Sequence, residues 1–290
     1  MRKLPKRVFN AARFKVRAGV YSLVRPRSTF VRQVEFRGIK LVVLANEEPG
    51  WCLIRDGKYE EPEVDCLEGL IRPSDVCVDI GANIGIYTVF MATKARDGLV
   101  LAFEPVPLSR AVLALNVALN SLENVRIYDC VVSDTAGEVE FSVSEDTAYS
   151  SMRSTSRSRE AARLKVPANT LDCLFAQGKQ RVDVLKIDVE GAEFLVLKGG
   201  EMLLSDARNR PRAVLVELNA KNQALYNCEP REIVEYMRAL GYDAYSITAS
   251  GAEKRWPVER AAEDVLFLDA KKYSQYGTSN NEEVNLVEDK

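Results

Sequence analysis

The stretch Val76-Cys77-Val78-Asp79-Ile80-Gly81-Ala82-Asn83-Ile84-Gly85, followed by Ile86-Tyr87-Thr88-Val89-Phe90-Met91-Ala92, decides how the chain folds. An apolar run of strand type ends at an acid, two glycines stand four apart, and a segment of helical type follows. Strand, glycine turn and helix in that order are how α/β proteins hold a nucleotide-like ligand. A turn without side chains lets the ligand meet backbone N–H groups at a helix N-terminus.

The spacing narrows the ligand. A dinucleotide site opens its helix with G-x-G-x-x-G, whereas this turn reads D-x-G-x-x-x-G, with Asp79, Gly81 and Gly85 and no third glycine for a pyrophosphate. An acid beside the turn repels phosphates and suits a cation. S-adenosylmethionine carries an ammonium and a sulfonium, and D-x-G-x-x-x-G is similar to motif I of the class I methyltransferases that use it. An ordinary glycine turn is the plainer alternative.

Outward from this turn, strand and helix patterns alternate. Leu99–Phe103, Val125–Tyr128, Val182–Ile187, Ala213–Leu218, Tyr242–Thr248 and Asp264–Leu268 read as further strands, and Pro107 to Leu122 as a helix. A hairpin is expected over Gly137 to Val143. Such alternation predicts an α/β fold with a mainly parallel sheet and helices on both faces. Upstream, Phe30–Phe36 and Ile39–Leu44 joined at Arg37-Gly38 read as another hairpin, and Tyr59 to Ile71 as a helix stopped at Pro73.

Residues 1–34 hold ten Lys or Arg and no acid, and Leu4, Val8, Ala12, Val16 and Val20 recur every fourth position. This pattern predicts a basic amphipathic helix. It offers peripheral contact with an anionic membrane surface or an acidic partner, or else packs its stripe on the domain. Residues 1–58 are therefore expected to form an N-terminal helix and hairpin extension, 59–270 the catalytic domain, and 271–290 a polar, disordered tail.

Across 290 residues, 47% of them apolar, a sizeable core is available. The net charge of -2 gives no global case for nucleic acid. The six cysteines show no C-x-x-C spacing and read as thiols of a reducing compartment. No apolar run has the length of a membrane span and the N-terminus has no apolar leader core, so a cytoplasmic location is expected. The chain has no histidine, which leaves acid–base chemistry to carboxylates, Lys, Tyr or Cys.

Ligands of open α/β sheets bind at the carboxyl ends of the strands. Asp79 ends the first core strand, and Glu104, followed by Pro105, ends the second, where an acid is placed to accept hydrogen bonds from ribose hydroxyls. Ser133, after the third, is placed for an adenine edge. The fourth strand ends Lys186-Ile187-Asp188-Val189-Glu190-Gly191-Ala192-Glu193, and the fifth ends with Glu217, then Leu218 and Asn219. So many carboxylates at neighbouring strand ends call for something positive among them: a sulfonium, a metal ion or Lys186. Glu190 and Glu193 also suit a helix N-terminus.

These motifs, with Phe103-Glu104-Pro105, Asn116 to Asn120 and Thr170-Leu171-Asp172, resemble the FkbM family of S-adenosylmethionine-dependent methyltransferases. The resemblance covers roughly residues 60 to 220, and Asp188-Val189-Glu190-Gly191-Ala192-Glu193 is its most specific part. It implies the class I methyltransferase (Rossmann-like) fold, with seven strands ordered 3-2-1-4-5-7-6 and the last strand antiparallel. It also implies O-methylation of a small molecule or sugar. Many relatives that this chain resembles carry His where it has Asn219.

The cofactor is thus expected on Asp79, Gly81, Asn83, Gly85, Glu104, Pro105, Ser133 and Asp188. Catalysis is expected from Asp188, Glu190 and Glu217, with Glu190 or Glu217 as the base and no metal assigned. A divalent ion on Asp188, Glu190, Glu217 and Asn219 is the alternative. Ser150 to Arg159 reads either as a mobile surface loop or as a lid whose arginines select an anionic group on the acceptor. Alternatives to O-methylation are a non-catalytic cofactor-binding module and N-methylation on the same fold.

Overall fold

A computed structural model describes residues 30–175, 180–248, 251–254 and 263–273. The basic N-terminal segment before Phe30 and the tail beyond Tyr273 lie outside the described residues. The strands are β1 Val31–Phe36, β2 Ile39–Leu44, β3 Val76–Ile80, β4 Leu99–Phe103, β5 Val125–Tyr128, β6 Val131–Val132, β7 Gly137–Ser144, β8 Glu160–Asn169, β9 Val184–Ile187, β10 Ala213–Leu218, β11 Tyr242–Thr248, β12 Gly251–Lys254 and β13 Glu263–Asp269. The helices are α1 Glu48–Asp56, α2 Glu61–Leu70, α3 Ile86–Lys94, α4 Pro107–Leu119, α5 Leu171–Phe175, α6 Glu193–Lys198, α7 Glu201–Ser205, α8 Ala220–Ala224, α9 Pro230–Ala239 and α10 Ala270–Tyr273.

The central sheet has the order β12-β11-β13-β10-β9-β3-β4-β5. Strands β5, β4, β3, β9 and β10 run parallel, and β13 is antiparallel to both β10 and β11. This is the expected seven-stranded class I order with one short strand, β12, added at the edge. Each central strand is buried on both faces, which is why Val76–Ile80 and Val184–Ile187 read as apolar runs rather than alternations. One apolar cluster packs on each face. The hairpin residues Phe36, Leu41 and Val43 share the cluster of Val89, Phe90 and Met91.

Arg37 and Gly38 both take positive φ in the turn of the β1–β2 hairpin, the conformation that two-residue hairpin loops demand. Two amides on one face of α4 hold the hairpin down. Asn116 accepts from Val42 N at 2.6 Å and donates to Val42 O at 3.0 Å, while Asn120 makes the same pair with Lys40 at 2.9 and 2.6 Å. The Asn116 to Asn120 motif is therefore scaffold.

Four elements depart from expectation. Gly137 to Val143, expected as a hairpin, lies within one strand, β7, whose antiparallel partner is β8. Helix α1 was not read from Glu48-Pro49-Gly50, which looks like a turn; yet Pro suits a first helical turn, and a Cβ at Gly50 would lie 2.1 Å from Leu44 O. Strand β8, largely exposed and interrupted by Arg163, Lys165 and Pro167, completes a separate sheet of order β6-β8-β7. Lys271 to Tyr273, expected in the disordered tail, belong to α10. None of the six cysteines forms a disulfide, and among the described residues no helix is long and apolar enough to cross a membrane.

Candidate active site

A cavity of about 670 Å³ opens at the carboxyl ends of β3, β4, β9 and β10. Gly81 and Gly85 take φ of 81° and 85°. A Cβ at Gly81 would lie 1.7 Å from Asp188 O, so this glycine lets the turn pass over the end of β9. Gly85 serves differently. A Cβ there would meet Leu113 Cδ1 at 2.2 Å, and the residue is not part of the cavity wall. The packing of α3 on α4 is what requires glycine there.

Asp79 is fully buried and accepts from Thr88 Oγ1 at 2.6 Å. Its Oδ1 is buried with no hydrogen-bond partner among the described residues, as is Asn83 Oδ1. Burial raises the Asp79 carboxyl, with Lys186 and Thr88 pulling it down. Glu104 accepts from Asn83 N and Val106 N, both at 2.7 Å, and burial pushes it up to about 7. Pro105 lines the cavity beside it. Ser133 does not reach the cavity: its hydroxyl faces Asp134 at 3.2 Å, and its carbonyl packs where a Cβ on Gly199 would stand. The apolar wall there comes instead from Phe103, Val131, Val132 and Phe141.

The acids expected at the opposite end do converge. Lys186 donates to Asp188 at 2.9 Å. Glu190, at φ 56°, accepts from Arg157 Nη1 at 3.0 and 2.9 Å and also from Asn222 Nδ2. Burial pushes Glu190 up to about 8, against the pull of Arg157. Glu217 pairs in register with Asp264, a cavity residue not singled out from sequence because nothing in its strand marks it as a site. Glu217 Oε2 is buried and has no hydrogen-bond partner among the described residues. Burial first, then Asp188, Glu190 and Asp264, raise Glu217 well above the ordinary carboxylate range. Glu193 accepts from Val189 N and Gly191 N at 3.2 and 2.9 Å, which closes the turn before α6. It stands in the first turn of α6, as expected of an acid that suits a helix N-terminus.

The segment Ser150 to Arg159 lies across the cavity and is tied to both banks. Ser151 Oγ donates to Val189 O at 2.9 Å and lies 2.8 Å from the Tyr226 hydroxyl. The Arg157 guanidinium stacks 4.0 Å from the Tyr149 ring centroid, and the Tyr149 hydroxyl donates to Glu48. Arg153 donates to Leu225 O, whereas Arg159 is exposed. Two of the three arginines thus fasten the segment. Asn219 lines the cavity and caps α8, accepting from Lys221 N at 3.2 Å. Among the described residues no group of three His, Cys, Asp or Glu side chains has an arrangement that could hold a metal ion.

The geometry suits a cationic, adenosine-like cofactor. An unpartnered buried oxygen on Asp79, two carboxylate oxygens on Glu104 with lone pairs to spare, and an apolar wall beyond them surround one end of the cavity. Glu217, with one unpartnered buried oxygen, stands at the other.

The family model described as "Methyltransferase FkbM domain" matches residues 79–244. Methyltransferase sdnD of Sordaria araneosa is 33% identical over 173 residues, covering 49% of this chain and 67% of that protein. The 31-O-demethyl-FK506 methyltransferase FkbM of Streptomyces tacrolimicus is 29% identical, over 59% of this chain and 74% of its own length. Hexuronic acid methyltransferase AglP of Haloferax volcanii is 28% identical, over 67% and 76% respectively.

Proposed function

This chain belongs to the FkbM family of methyltransferases, and from that premise we propose that it methylates a hydroxyl oxygen of a small-molecule or sugar acceptor, with Glu217 as the base. S-adenosylmethionine, when bound, supplies an electrophilic methyl carbon on a sulfonium. Asp79, Gly81, Asn83, Glu104, Pro105 and Asp188 would hold it, Glu104 accepting hydrogen bonds from hydroxyls and Asp79 and Asp188 facing positive charge. Two of the relatives carry acceptor names, a demethyl-FK506 and a hexuronic acid, and a small hydroxylated acceptor follows by analogy for this chain.

The observation that carries the reading is the unpartnered Oε2 of Glu217. An alcohol must lose its proton as its oxygen becomes a nucleophile, and a carboxylate with a free lone pair and raised proton affinity can take it. Glu190 is less suited, because Arg157 and Asn222 already occupy its oxygens. It orients instead, with Oε1 keeping one lone pair for an acceptor hydroxyl.

Methyl transfer from labelled cofactor to a panel of hydroxylated and amino compounds tests this. Glu217→Gln is expected to lower kcat about 100-fold or more and to leave cofactor affinity within about threefold. Glu190→Gln should act mainly through acceptor KM. Near-normal turnover in both variants removes the carboxylate base, and cofactor binding without turnover of any acceptor favours a binding module.

A further inference from the structure

Lys186 is the register partner of Asp79 in the parallel pair of β9 and β3, so the two side chains share one face of the sheet. Its buried ammonium donates to Asp188 Oδ2 at 2.9 Å and lies 4.5 Å from the ring centroid of Tyr87. The Tyr87 hydroxyl in turn donates to Glu60 at 2.7 Å. The groups that face this ammonium come from four more parts of the chain: Asp79 on β3, Tyr87 on α3, Glu60 before α2, and Asp264 on β13. Glu63 stands behind Glu60 and Asp264, Glu217 behind Asp264, and Tyr59 beside Glu60.

Burial alone would strip a proton from this lysine. Asp188, Asp79 and Glu60 outweigh it and hold Lys186 above the ordinary lysine range. The reciprocal effect falls on Asp79. Fully buried, with donors from Thr88 alone, its hydroxyl and its backbone N–H, it would be neutral without a cation nearby. Lys186 also aims Asp188, whose carbonyl abuts Gly81 of the cofactor turn.

We propose that Lys186 is a positioning residue that sets the charge of the cofactor site: it keeps Asp79 charged and Asp188 in place, so that the site tells the sulfonium of S-adenosylmethionine from the neutral thioether of S-adenosylhomocysteine at neutral pH. This rests on the cofactor reading above. A site with Asp79 neutral loses attraction for the sulfonium but keeps its contacts to adenosine, so the two ligands respond unequally when Lys186 is removed.

Calorimetric titration of both ligands into wild type, Lys186→Met and Lys186→Arg, from about pH 6 to 9, tests it. In Lys186→Met the ratio of sulfonium to thioether affinity is expected to fall most at the acid end of this range, by up to the roughly tenfold that one pKa unit at Asp79 carries, and by less near pH 7. The pH at which the ratio recovers half its plateau should move up by about one unit, and Lys186→Arg should restore both. Equal weakening of the two ligands at every pH, or an unmoved ratio, overturns the proposal. If Lys186→Met does not fold, the wild type carries the test, titrated near neutral pH in two buffers of different ionisation heat. Proton release on binding should then agree between the two ligands to within about half a proton, and a full extra proton released with the sulfonium overturns it. Wild type that binds neither ligand overturns the cofactor reading itself, which is a different result.

Discussion

At the scale of single residues, the site separates carboxylates by their partners. Glu190 has a guanidinium and an amide, Glu193 has two backbone N–H groups, Asp188 has an ammonium, and Glu217 Oε2 has none. A base acts in its ionised form, and burial with neighbouring acids raises Glu217 well above the usual range. The rate should therefore be low on the acid side and rise with pH through that raised value. A kcat profile that is flat from about pH 5 to 8 would count against Glu217. The position of each acid at a strand end was legible, because an apolar run that stops at Asp or Glu marks where a strand meets its loop. Partner choice was not. Arg157 reaches Glu190 from 33 residues away in sequence, and no local pattern encodes such a contact. Ser133 and Gly85 do not line the cavity for a related reason: a residue at the right offset can turn its side chain, or its missing side chain, toward the scaffold.

At the scale of elements, the strands were read well and their attachments less so. Central strands carry continuous apolar runs, and Ala213–Leu218 and Tyr242–Thr248 have the bounds expected. Strand β8 has too few buried positions to give a signal, and α1 hides behind Pro49 and Gly50, residues that also make turns. The link between α4 and β2 yields a clear prediction. Asn116 is fully buried and satisfies Val42 N, Val42 O and Ile84 O. Asn116→Ala leaves these groups without partners and should destabilise the fold by about 2–4 kcal/mol, read as a shift of the urea midpoint at unchanged slope. A loss under about 0.5 kcal/mol would mean that water or a backbone shift replaces the amide.

At the scale of the whole molecule, the two ends of the sheet handle charge in opposite ways. Asp75, Asp183 and Arg212 immediately precede β3, β9 and β10, and Arg212 meets Asp75 at 3.0 and 2.5 Å and Asp183 at 3.5 Å. With Arg181 also donating to Asp183 at 2.7 Å, charges at the amino end are matched, whereas at the carboxyl end buried acids exceed their partners. Burial pushes Glu104 and Glu193 up to about 7 and Glu190 up to about 8. Between about pH 4.5 and 8 the folded state thus holds protons that the unfolded chain has released. The stability that these three acids contribute is greatest below the unfolded carboxylate range and falls as pH rises through these values. The ligand-free protein should lose several degrees of melting temperature from about pH 5 to 8, at roughly 2–4 °C per kcal/mol. A cationic cofactor should restore more of that loss at the upper pH, and a melting temperature that rises over this interval would contradict the charge surplus.

The amide pairs on β2 have one more consequence. The backbone groups of Lys40 and Val42 that face away from β1 would otherwise form an open strand edge, to which a second molecule could add its own strand. Asn116 and Asn120 fill those positions with side-chain groups that cannot propagate a sheet. The two asparagines that anchor the hairpin thus also occupy the backbone groups through which a further strand would pair.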